Sequence, residues 1–249
     1  MRFSFFPACL LACLAPMFLL ALPLGAQPSP AAPAPATIWR FDRLDQIGGH
    51  SVQAEGNPRL IQTGAGAAIA FDGVDDALFI DNHPMAGFSN FTFEAIFRPD
   101  GGAQAQRWFH LATADPATGA VSLPGGTSDP NPRFLFEIRV ANGTQWYLDA
   151  FTHGDGYDQA LMFPKLLHPT RTWHAVAQTY DGKVYRSYVD GVLQGEAAIA
   201  FKPQGPGKSS VGTRINRVNY FKGAVLMARF TPRALTPAEM LTVPDSLRR

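Results

Sequence analysis

Apolar and polar residues alternate with a period of two along several stretches of the chain, as in strands that bury one face. Residues 91–97 place Phe or Ala at every second position, and residues 134–140 place Phe, Ile or Val there. Strong helical periodicity is absent almost everywhere. The pattern therefore predicts a protein made mostly of β-strands.

Two Asp-Gly pairs in the second half of the chain indicate tight hairpins. Asp181-Gly182 and Asp190-Gly191 each lie between runs of apolar and β-branched residues. Asp-Gly is favoured at such turns because their central residues need positive φ. The spacing predicts three antiparallel strands, over residues 173–180, 184–189 and 192–199.

Further strands are predicted nearer the start of the chain, over residues 38–42, 67–71 and 77–80. The 19 phenylalanines suit two packed sheets, since each aromatic ring buries a large apolar area. Near the end, Thr236 and Glu239 form a capping box with Pro237 between them, which predicts one short C-terminal helix. The expected fold is all-β, a sandwich of two antiparallel sheets followed by that helix.

Two stretches interrupt the strand pattern. Residues 115–133 are rich in Gly, Pro and Asp, and residues 152–160 read THGDGYDQA. Both are expected to be irregular loops. Long loops in compact domains commonly carry function, so a site is expected near these two.

The first 36 residues are expected to precede the folded domain. Residues 1–26 have a single charge followed by an apolar run and small residues, as in a secretory signal peptide. Residues 27–36 read as a Pro/Ala-rich linker, and residues 37–249 as the domain. Cys9 and Cys13 both fall in the signal, so the mature chain is expected to have no thiol for a disulfide or metal site.

Charge and the distribution of apolar residues argue against two classes of partner. The chain has 21 Lys and Arg against 20 Asp and Glu. A nearly neutral protein lacks the field that attracts nucleic acid, so no nucleic-acid partner is expected. No apolar run after the signal is long enough to span a bilayer, so no membrane span is expected either.

Four motifs occur in order along residues 37–240. They are Phe71-Asp72-Gly73-Val74-Asp75-Asp76, the strand from Phe91 to Pro99, Trp173-His174 with Tyr188-Val189-Asp190-Gly191, and Tyr220-Phe221-Lys222-Gly223 with the tail from Arg229 to Glu239. Together they resemble the bacterial laminin G-like domains of the concanavalin A-like lectin and glucanase superfamily. The resemblance implies a jelly-roll β-sandwich. Phe97 departs from the pattern, because Trp is usual at that position.

The resemblance also allows a check for catalysis. Glucanases of this superfamily carry their catalytic acids in one acidic E-x-D-x-x-E run, and this chain has none. Glu94 and Glu137 each stand alone on a strand and are expected to be solvated or paired with arginines on an outer face. The strand with Arg133, Glu137 and Arg139 only partly resembles that of jelly-roll alginate lyases. No catalytic residue is therefore predicted.

Asp72, Asp75 and Asp76 crowd one turn and are the candidate metal ligands. Carboxylate oxygens are the ligands that Ca²⁺ prefers, and the resemblance implies a calcium site at the sandwich rim. The alternative is that these side chains bond to their own backbone, as Asp often does in turns. Calcium is thus the candidate cofactor, and a structural turn is the competing interpretation.

Aromatic rings near the loops are the candidate ligand contacts, because such rings stack on the apolar faces of sugars. Trp146 and Tyr147 are adjacent on a strand, so one of them should face outward. The predicted ligand-binding set is Trp108, Trp146, Tyr147, His153, Asp155 and Tyr157. For Trp108 the alternative is core packing.

These features predict a secreted, non-catalytic module that binds extracellular or cell-surface carbohydrate, with calcium assisting. The first alternative is a glycan-active enzyme, a polysaccharide lyase or hydrolase with an atypical site, since His153, Asp155 and Tyr157 lie close in sequence. The second is a protein–protein adhesion module with a protein partner, because laminin G-like domains often have that role.

Overall fold

The computed structural model describes residues 35–121 and 131–248, together with residues 1 and 4. Apart from residues 1 and 4, the predicted secretory signal therefore lies outside the described residues, as does most of the predicted linker. The first expected loop is described at residues 115–121 and 131–132, and these contain no strand.

Strands make up most of the described chain. In chain order they are β1 (Thr37–Arg40), β2 (Gln46–Ile47), β3 (His50–Glu55), β4 (Arg59–Thr63), β5 (Gly66–Asp72), β6 (Ala77–Ile80), β7 (Phe91–Pro99), β8 (Ala105–Thr113), β9 (Arg133–Ala141), β10 (Gln145–Gly154), β11 (Tyr157–Met162), β12 (His168–Pro169), β13 (His174–Tyr180), β14 (Val184–Val189), β15 (Val192–Ala198), β16 (Gly207–Val211) and β17 (Lys222–Thr231). Two 3₁₀-helices follow, Pro237–Glu239 and Asp245–Leu247. Within this part of the chain, no helix is long and apolar enough to cross a membrane.

The strands form two antiparallel sheets that pack face to face. Sheet 1 has the order β15-β14-β13-β7-β17-β5-β4, with β1 also paired to β17. Sheet 2 has the order β11-β10-β9-β8-β16-β6-β3-β2, with β12 paired to β10. This arrangement confirms the predicted all-β sandwich and is consistent with a jelly roll.

Aromatic side chains fill the space between the sheets. Phe93 of β7 stacks on Phe136 of β9 with ring centroids 3.8 Å apart, and Phe97 stacks on Trp108 at 4.5 Å. Alternate residues of β7 and β9 point into this core, as the period-two pattern predicts. These rings supply much of the apolar burial, since each buries roughly 150–250 Å².

The segment after β17 covers part of the outer face of sheet 1. Ile96 and Trp173 lie on that face and pack with Val243 and Leu247 from the C-terminal segment. The outer face of sheet 2 carries charged and aromatic side chains instead, and it is there that the candidate site lies.

Most of the predicted strand positions are confirmed. β14 and β6 have the predicted bounds, and β13 and β15 each differ from theirs by one residue at one end. The predicted C-terminal helix is present only as the 3₁₀ turn Pro237–Glu239. Its capping box does form, because the Thr236 N–H donates to the Glu239 carboxylate at 2.8 Å.

The interpretation of residues 152–160 as an irregular loop is wrong. β10 and β11 form a hairpin through this stretch, with His153 opposite Asp158. The turn is Asp155-Gly156, and Gly156 has a φ of 83°, which glycine adopts readily. β11 is an edge strand with exposed positions, so its polar residues obscured the strand pattern.

Several residues of the four motifs form ion pairs and hydrogen bonds that connect different strands and segments. Glu94 of β7 pairs with Arg229 of β17 at 2.6 Å and accepts the Leu241 N–H, which ties the C-terminal segment to sheet 1. His174 Nδ1 lies 2.8 Å from Asp190 Oδ2, which joins the start of β13 to the β14–β15 turn. These contacts confirm the arginine pairing expected for Glu94.

Candidate functional site

The outer face of sheet 2 brings together charged and aromatic side chains from the neighbouring strands β8, β9 and β10. Trp146 and Leu148 of β10 are buried between the sheets. Because successive side chains of a strand point to opposite faces, the intervening residues of β10 point outward. They are Tyr147, Asp149, Phe151 and His153.

The register of the sheet brings acidic and basic side chains together on this face. Asp149 lies opposite Glu137 of β9, and Glu137 lies opposite Arg107 of β8. On the same face, the neighbouring pair of β9 and β10 is Arg139 opposite Tyr147. The pairing of three strands thus assembles two arginines and two carboxylates that are far apart in sequence.

These four charged side chains, Arg107, Glu137, Arg139 and Asp149, form what we call the Arg–carboxylate network. Arg139 Nη2 lies 2.7 Å from an Asp149 oxygen and 3.0 Å from one Glu137 oxygen. Arg107 Nε lies 3.1 Å from the other Glu137 oxygen. The Glu137 side chain is only 3% exposed. The arginine pairing expected for Glu137 is confirmed.

Burial raises the pKa of Glu137 to about 7, although Arg107 and Arg139 act to lower it; the nearby Asp149 charge also raises it. Desolvation disfavours the ionised form of a carboxyl group, and here two cations do not fully offset that effect. Glu137 therefore changes its charge near neutral pH. A carboxyl group with such a pKa is suited to exchange a proton with a ligand.

The aromatic half of the same face lies toward the β10–β11 hairpin. The Arg133 guanidinium lies over the Phe151 ring, 5.3 Å from its centroid. His153 Nδ1 lies 3.1 Å from Asp158 Oδ2 across the hairpin. Tyr147 and Phe151 are partly exposed, so their rings are accessible from this face.

Two of the predicted ligand contacts, Trp108 and Trp146, are not on the surface. Both side chains are fully buried between the sheets. Trp108 stacks on Phe97, and the Trp146 ring N–H donates to the Pro169 carbonyl at 3.1 Å. The prediction that these two rings bind a ligand is wrong because they fill the core. The structure does turn Tyr147 outward, as expected for one residue of its pair.

The other predicted contacts gather at the β10–β11 hairpin. Asp155, at the turn, is exposed and pairs with Lys202, and His153 lies on the outer face. Tyr157 is 7% exposed, and its hydroxyl accepts a hydrogen bond from Gln204 Nε2 at 3.1 Å. Burial raises the pKa of Tyr157 although the bond to Gln204 acts to lower it. His153 and Asp155 are therefore accessible to a ligand, whereas Tyr157 supports the hairpin.

Asp72, Asp75 and Asp76 come together in the β5–β6 turn, with one oxygen of each within 4.8 Å of the others. The turn itself uses part of this set. The two Asp76 oxygens accept the Asn57 N–H at 2.6 Å and the Asp72 N–H at 2.9 Å. Asp72 Oδ1 accepts the Val74 N–H at 2.7 Å. The remaining oxygens of Asp72 and Asp75 suit a hard cation such as Ca²⁺, so the residues fit both interpretations.

Sequence reasoning missed Arg107, Asp149 and Phe151 as members of the outer face. A partial signal exists in residues 133–139, where Arg, Leu, Glu and Arg occupy every second position opposite the buried phenylalanines. The partners on β8 and β10 could not be assigned in the same way. Their positions depend on strand register, which a one-residue slip would reverse.

Residues 72–240 match the sequence profile of a laminin G-like family described as "Concanavalin A-like lectin/glucanases superfamily". The match covers more than half of the chain and includes the three aspartates and all of β7 to β17. No curated protein sequence matches the chain.

Several solved structures share the fold. Domain 4 of AbnA, a GH43 extracellular arabinanase from Geobacillus stearothermophilus in complex with arabinotriose, has a TM-score of 0.58 at 16% identity, covering 84% of this chain and 97% of that one. The binding domain of Paraclostridial Mosquitocidal Protein 1 has a TM-score of 0.57 at 11% identity, covering 82% and 50%. The binding domain of Botulinum Neurotoxin DC in complex with SialylT has a TM-score of 0.51 at 10% identity, covering 82% and 49%. This chain thus spans about half of each toxin structure.

Proposed function

The chain belongs to the laminin G-like domains of the concanavalin A-like lectin/glucanase superfamily, and we propose that it is an exported, non-catalytic module that binds carbohydrate on the outer face of sheet 2. The observation that carries the proposal is the row of Tyr147, Phe151 and His153 on β10, beside Arg133 and Arg139 of β9. Partly exposed rings offer a platform for the apolar face of a sugar ring. Guanidinium groups beside them donate hydrogen bonds to hydroxyl oxygens.

Two proteins of similar fold give this proposal further support. The arabinanase domain is in complex with arabinotriose, and the neurotoxin DC binding domain is in complex with SialylT. Export is proposed from the signal predicted at residues 1–26, and the arabinanase is itself extracellular. The ligand of this chain is proposed to be an extracellular or cell-surface glycan.

Calcium is proposed to assist at Asp72, Asp75 and Asp76. The support is that an oxygen of each lies within 4.8 Å of the others. In the part of the chain that the structure describes, the Asp75 carboxylate has no hydrogen bond or ion pair, so both its oxygens could bind the ion. A bound Ca²⁺ would offset the repulsion between adjacent carboxylates in the β5–β6 turn. The carboxylates would hold the ion, and water or backbone carbonyls would complete its coordination.

A glycan array probed with the full chain, once with Ca²⁺ and once with EDTA, tests these proposals together. We expect selective binding that Tyr147→Ala and Phe151→Ala each weaken about tenfold or more, as central aromatic contacts do. Val192→Ala is the matched control, because Val192 is a 65% exposed apolar residue on sheet 1. Binding that is lost in EDTA supports the proposed calcium site. Binding that is unchanged in EDTA contradicts the calcium site but still supports a carbohydrate-binding module. A blank array, or full binding by both aromatic variants, overturns the proposed site.

One observation favours a second candidate function, a glycan-active enzyme. Glu137, whose pKa is raised by burial to about 7, lies on the same face as Asp149, and both contact Arg139. Incubating the full chain with the bound polysaccharides and analysing the products by mass spectrometry separates the two functions. Defined products that are absent with Glu137→Gln would show that the protein is an enzyme and not a non-catalytic binding module. Polysaccharides that remain unchanged would support the non-catalytic binding module.

A further inference from the structure

A polar cavity of about 460 Å³ lies at the outer face of sheet 1, away from the proposed carbohydrate site. Its lining comes from the end of β7, the segment before β13, the β4–β5 turn and the second 3₁₀-helix. Cavities of this size accommodate small ligands. We call it the arginine cavity after its principal residues, which are Arg98, Arg171, Arg248 and Trp173.

The positive charge of the arginine cavity is only partly matched by the protein. Arg98 is neutralised, since both its Nε and an Nη bond to Asp100 at 2.8 Å, and it lies over the Trp173 ring. Arg248 is exposed and has Asp245 no closer than 3.6 Å, a weak pair in water. Among the described residues, the Arg171 side chain has no hydrogen bond or ion pair. Two guanidinium groups therefore remain available to an anion.

The backbone of Arg171 gives independent support. Its φ is 61°, in the left-handed region that favours Gly and Asn over arginine. The conformation is held from outside, because the Arg171 N–H donates to the Pro99 carbonyl at 2.6 Å and the Thr170 N–H donates to the Thr144 carbonyl at 2.9 Å. Strain that the surrounding structure imposes is often found where a side chain has a function. In this conformation Arg171 lines the cavity.

A second cavity of about 300 Å³ adjoins the first and shares Thr172, Trp173 and Arg248 with it. It extends to Asp190, whose side chain is 45% exposed. The Asp190 carboxylate already bonds to His174 and to the Ala175 N–H, so the hydroxyl groups of this cavity come from Thr172 and Thr242. The combined surface suits a ligand that carries an anionic group at one end and hydroxyl groups at the other.

We propose that the arginine cavity binds an acidic sugar of the uronate class, with its carboxylate between Arg171 and Arg248 and its ring toward Thr172 and Trp173. A planar guanidinium pairs with a carboxylate through two parallel hydrogen bonds, which favours this anion over a neutral hydroxyl. That the anion is carried by a sugar rests on the proposed function. The positions of Arg171 and Arg248 in the cavity do not depend on it.

Isothermal titration of the full chain with glucuronate, glucose and sodium acetate tests the inference. We expect glucuronate to bind more tightly than either of the others. Arg171→Asn should weaken it about tenfold or more, as loss of a charge-assisted contact does. Asn accepts positive φ, so this variant should keep or raise the melting temperature. Arg217→Asn is the matched control, because Arg217 has a φ of 62° and lies outside the cavity.

The outcomes separate this inference from the proposed function. Glucuronate binding that survives Arg171→Asn but is lost in Tyr147→Ala assigns the uronate to sheet 2 and overturns the inference alone. Equal affinity for glucuronate and glucose overturns it as well. Equal affinity for glucuronate and acetate also overturns it, because the site would then bind the anion without the sugar. Glucuronate binding that requires Arg171, with no effect of Tyr147→Ala, supports the inference even where the array shows no ligand for sheet 2.

Discussion

Glu137 lies where burial and neighbouring charge act on its pKa in opposite directions. It is 3% exposed and contacts two arginines, yet burial prevails and raises the pKa to about 7. Removing a carboxylate from water can cost more than its ion pairs return, so such a network is weak evidence of stability. Its effect on the outer face of sheet 2 is to hold Arg107 and Arg139 in fixed positions.

The raised pKa of Glu137 predicts the direction in which the unfolding free energy changes with pH. The folded pKa of about 7 lies above the ordinary value of 4.5, so the folded state holds this proton more tightly. The resulting stabilisation is complete below about pH 4.5 and is lost as the pH rises through about 7. Glu137→Gln removes this pH-dependent contribution to stability. Relative to the original protein, it should therefore gain on the order of 2 kcal/mol in unfolding free energy between about pH 5 and about pH 8.

Urea unfolding of both proteins at the two pH values measures this difference directly. Any constant loss from replacing the carboxylate cancels in the comparison, because only the change with pH is used. Unfolding free energies that stay parallel from pH 5 to pH 8 would show that the arginines, and not burial, control Glu137.

At the scale of elements, the same turn signal succeeded in one place and failed in another. Asp-Gly at 181–182 and 190–191 predicted the β13–β14–β15 meander, and Asp155-Gly156 closes a third hairpin of the same kind. The third was missed because Gly154 precedes it and the polar Asp158 follows soon after, whereas runs of apolar and β-branched residues lie on both sides of the other two pairs. The Asp-Gly signal thus predicts a hairpin where runs of apolar or β-branched residues flank the pair.

Two strand glycines offer a test of how tightly the elements pack. A Cβ on Gly195 of β15 would overlap the Phe163 ring, and one on Gly207 of β16 would overlap the Ala112 carbonyl. Phe163 is 40% exposed and can rotate away, whereas a paired backbone carbonyl cannot. We expect Gly195→Ala to cost about 1 kcal/mol and Gly207→Ala about 3 kcal/mol or more, within the range for overpacking.

Equilibrium unfolding of the two variants measures their order, and a double variant serves as the control. Adding Phe163→Ala should recover most of the Gly195→Ala loss, because the overlapping ring is gone. The same addition should leave Gly207→Ala unchanged. Equal losses at the two glycines would mean that β16 and β8 can separate as easily as an exposed ring can turn.

At the scale of the molecule, the motifs that identify the fold differ from the residues that form the candidate site. Glu94 with Arg229 and His174 with Asp190 join strands, so recognising them predicted the sandwich. The outer face of sheet 2 depends instead on the pairing of β8, β9 and β10, whose members lie up to tens of residues apart. Trp146 and Tyr147 illustrate the limit: alternation indicated that one faces outward, and only the register of β10 decided which.

Two buried histidines should make the whole molecule sensitive to acid. Burial lowers the pKa of His83 to about 4, although its hydrogen bond with Gln204 acts to raise it. Burial also lowers the pKa of His110, and the Arg214 and Arg133 charges lower it further. Both rings accept a backbone N–H on Nδ1, from Met85 for His83 and from Ile215 for His110, and so are held neutral.

A depressed folded pKa contributes stability that is present above the ordinary pKa of 6.5 and is lost as the pH falls through about 4. The unfolding free energy should therefore fall between about pH 6.5 and about pH 4, by on the order of 2 kcal/mol for His83 alone. His83→Gln should lower stability at neutral pH, since it loses packing, but should flatten this acid slope. Urea unfolding at several pH values measures both effects. A slope as steep in His83→Gln as in the original protein would assign the acid sensitivity to His110 or to the carboxylates.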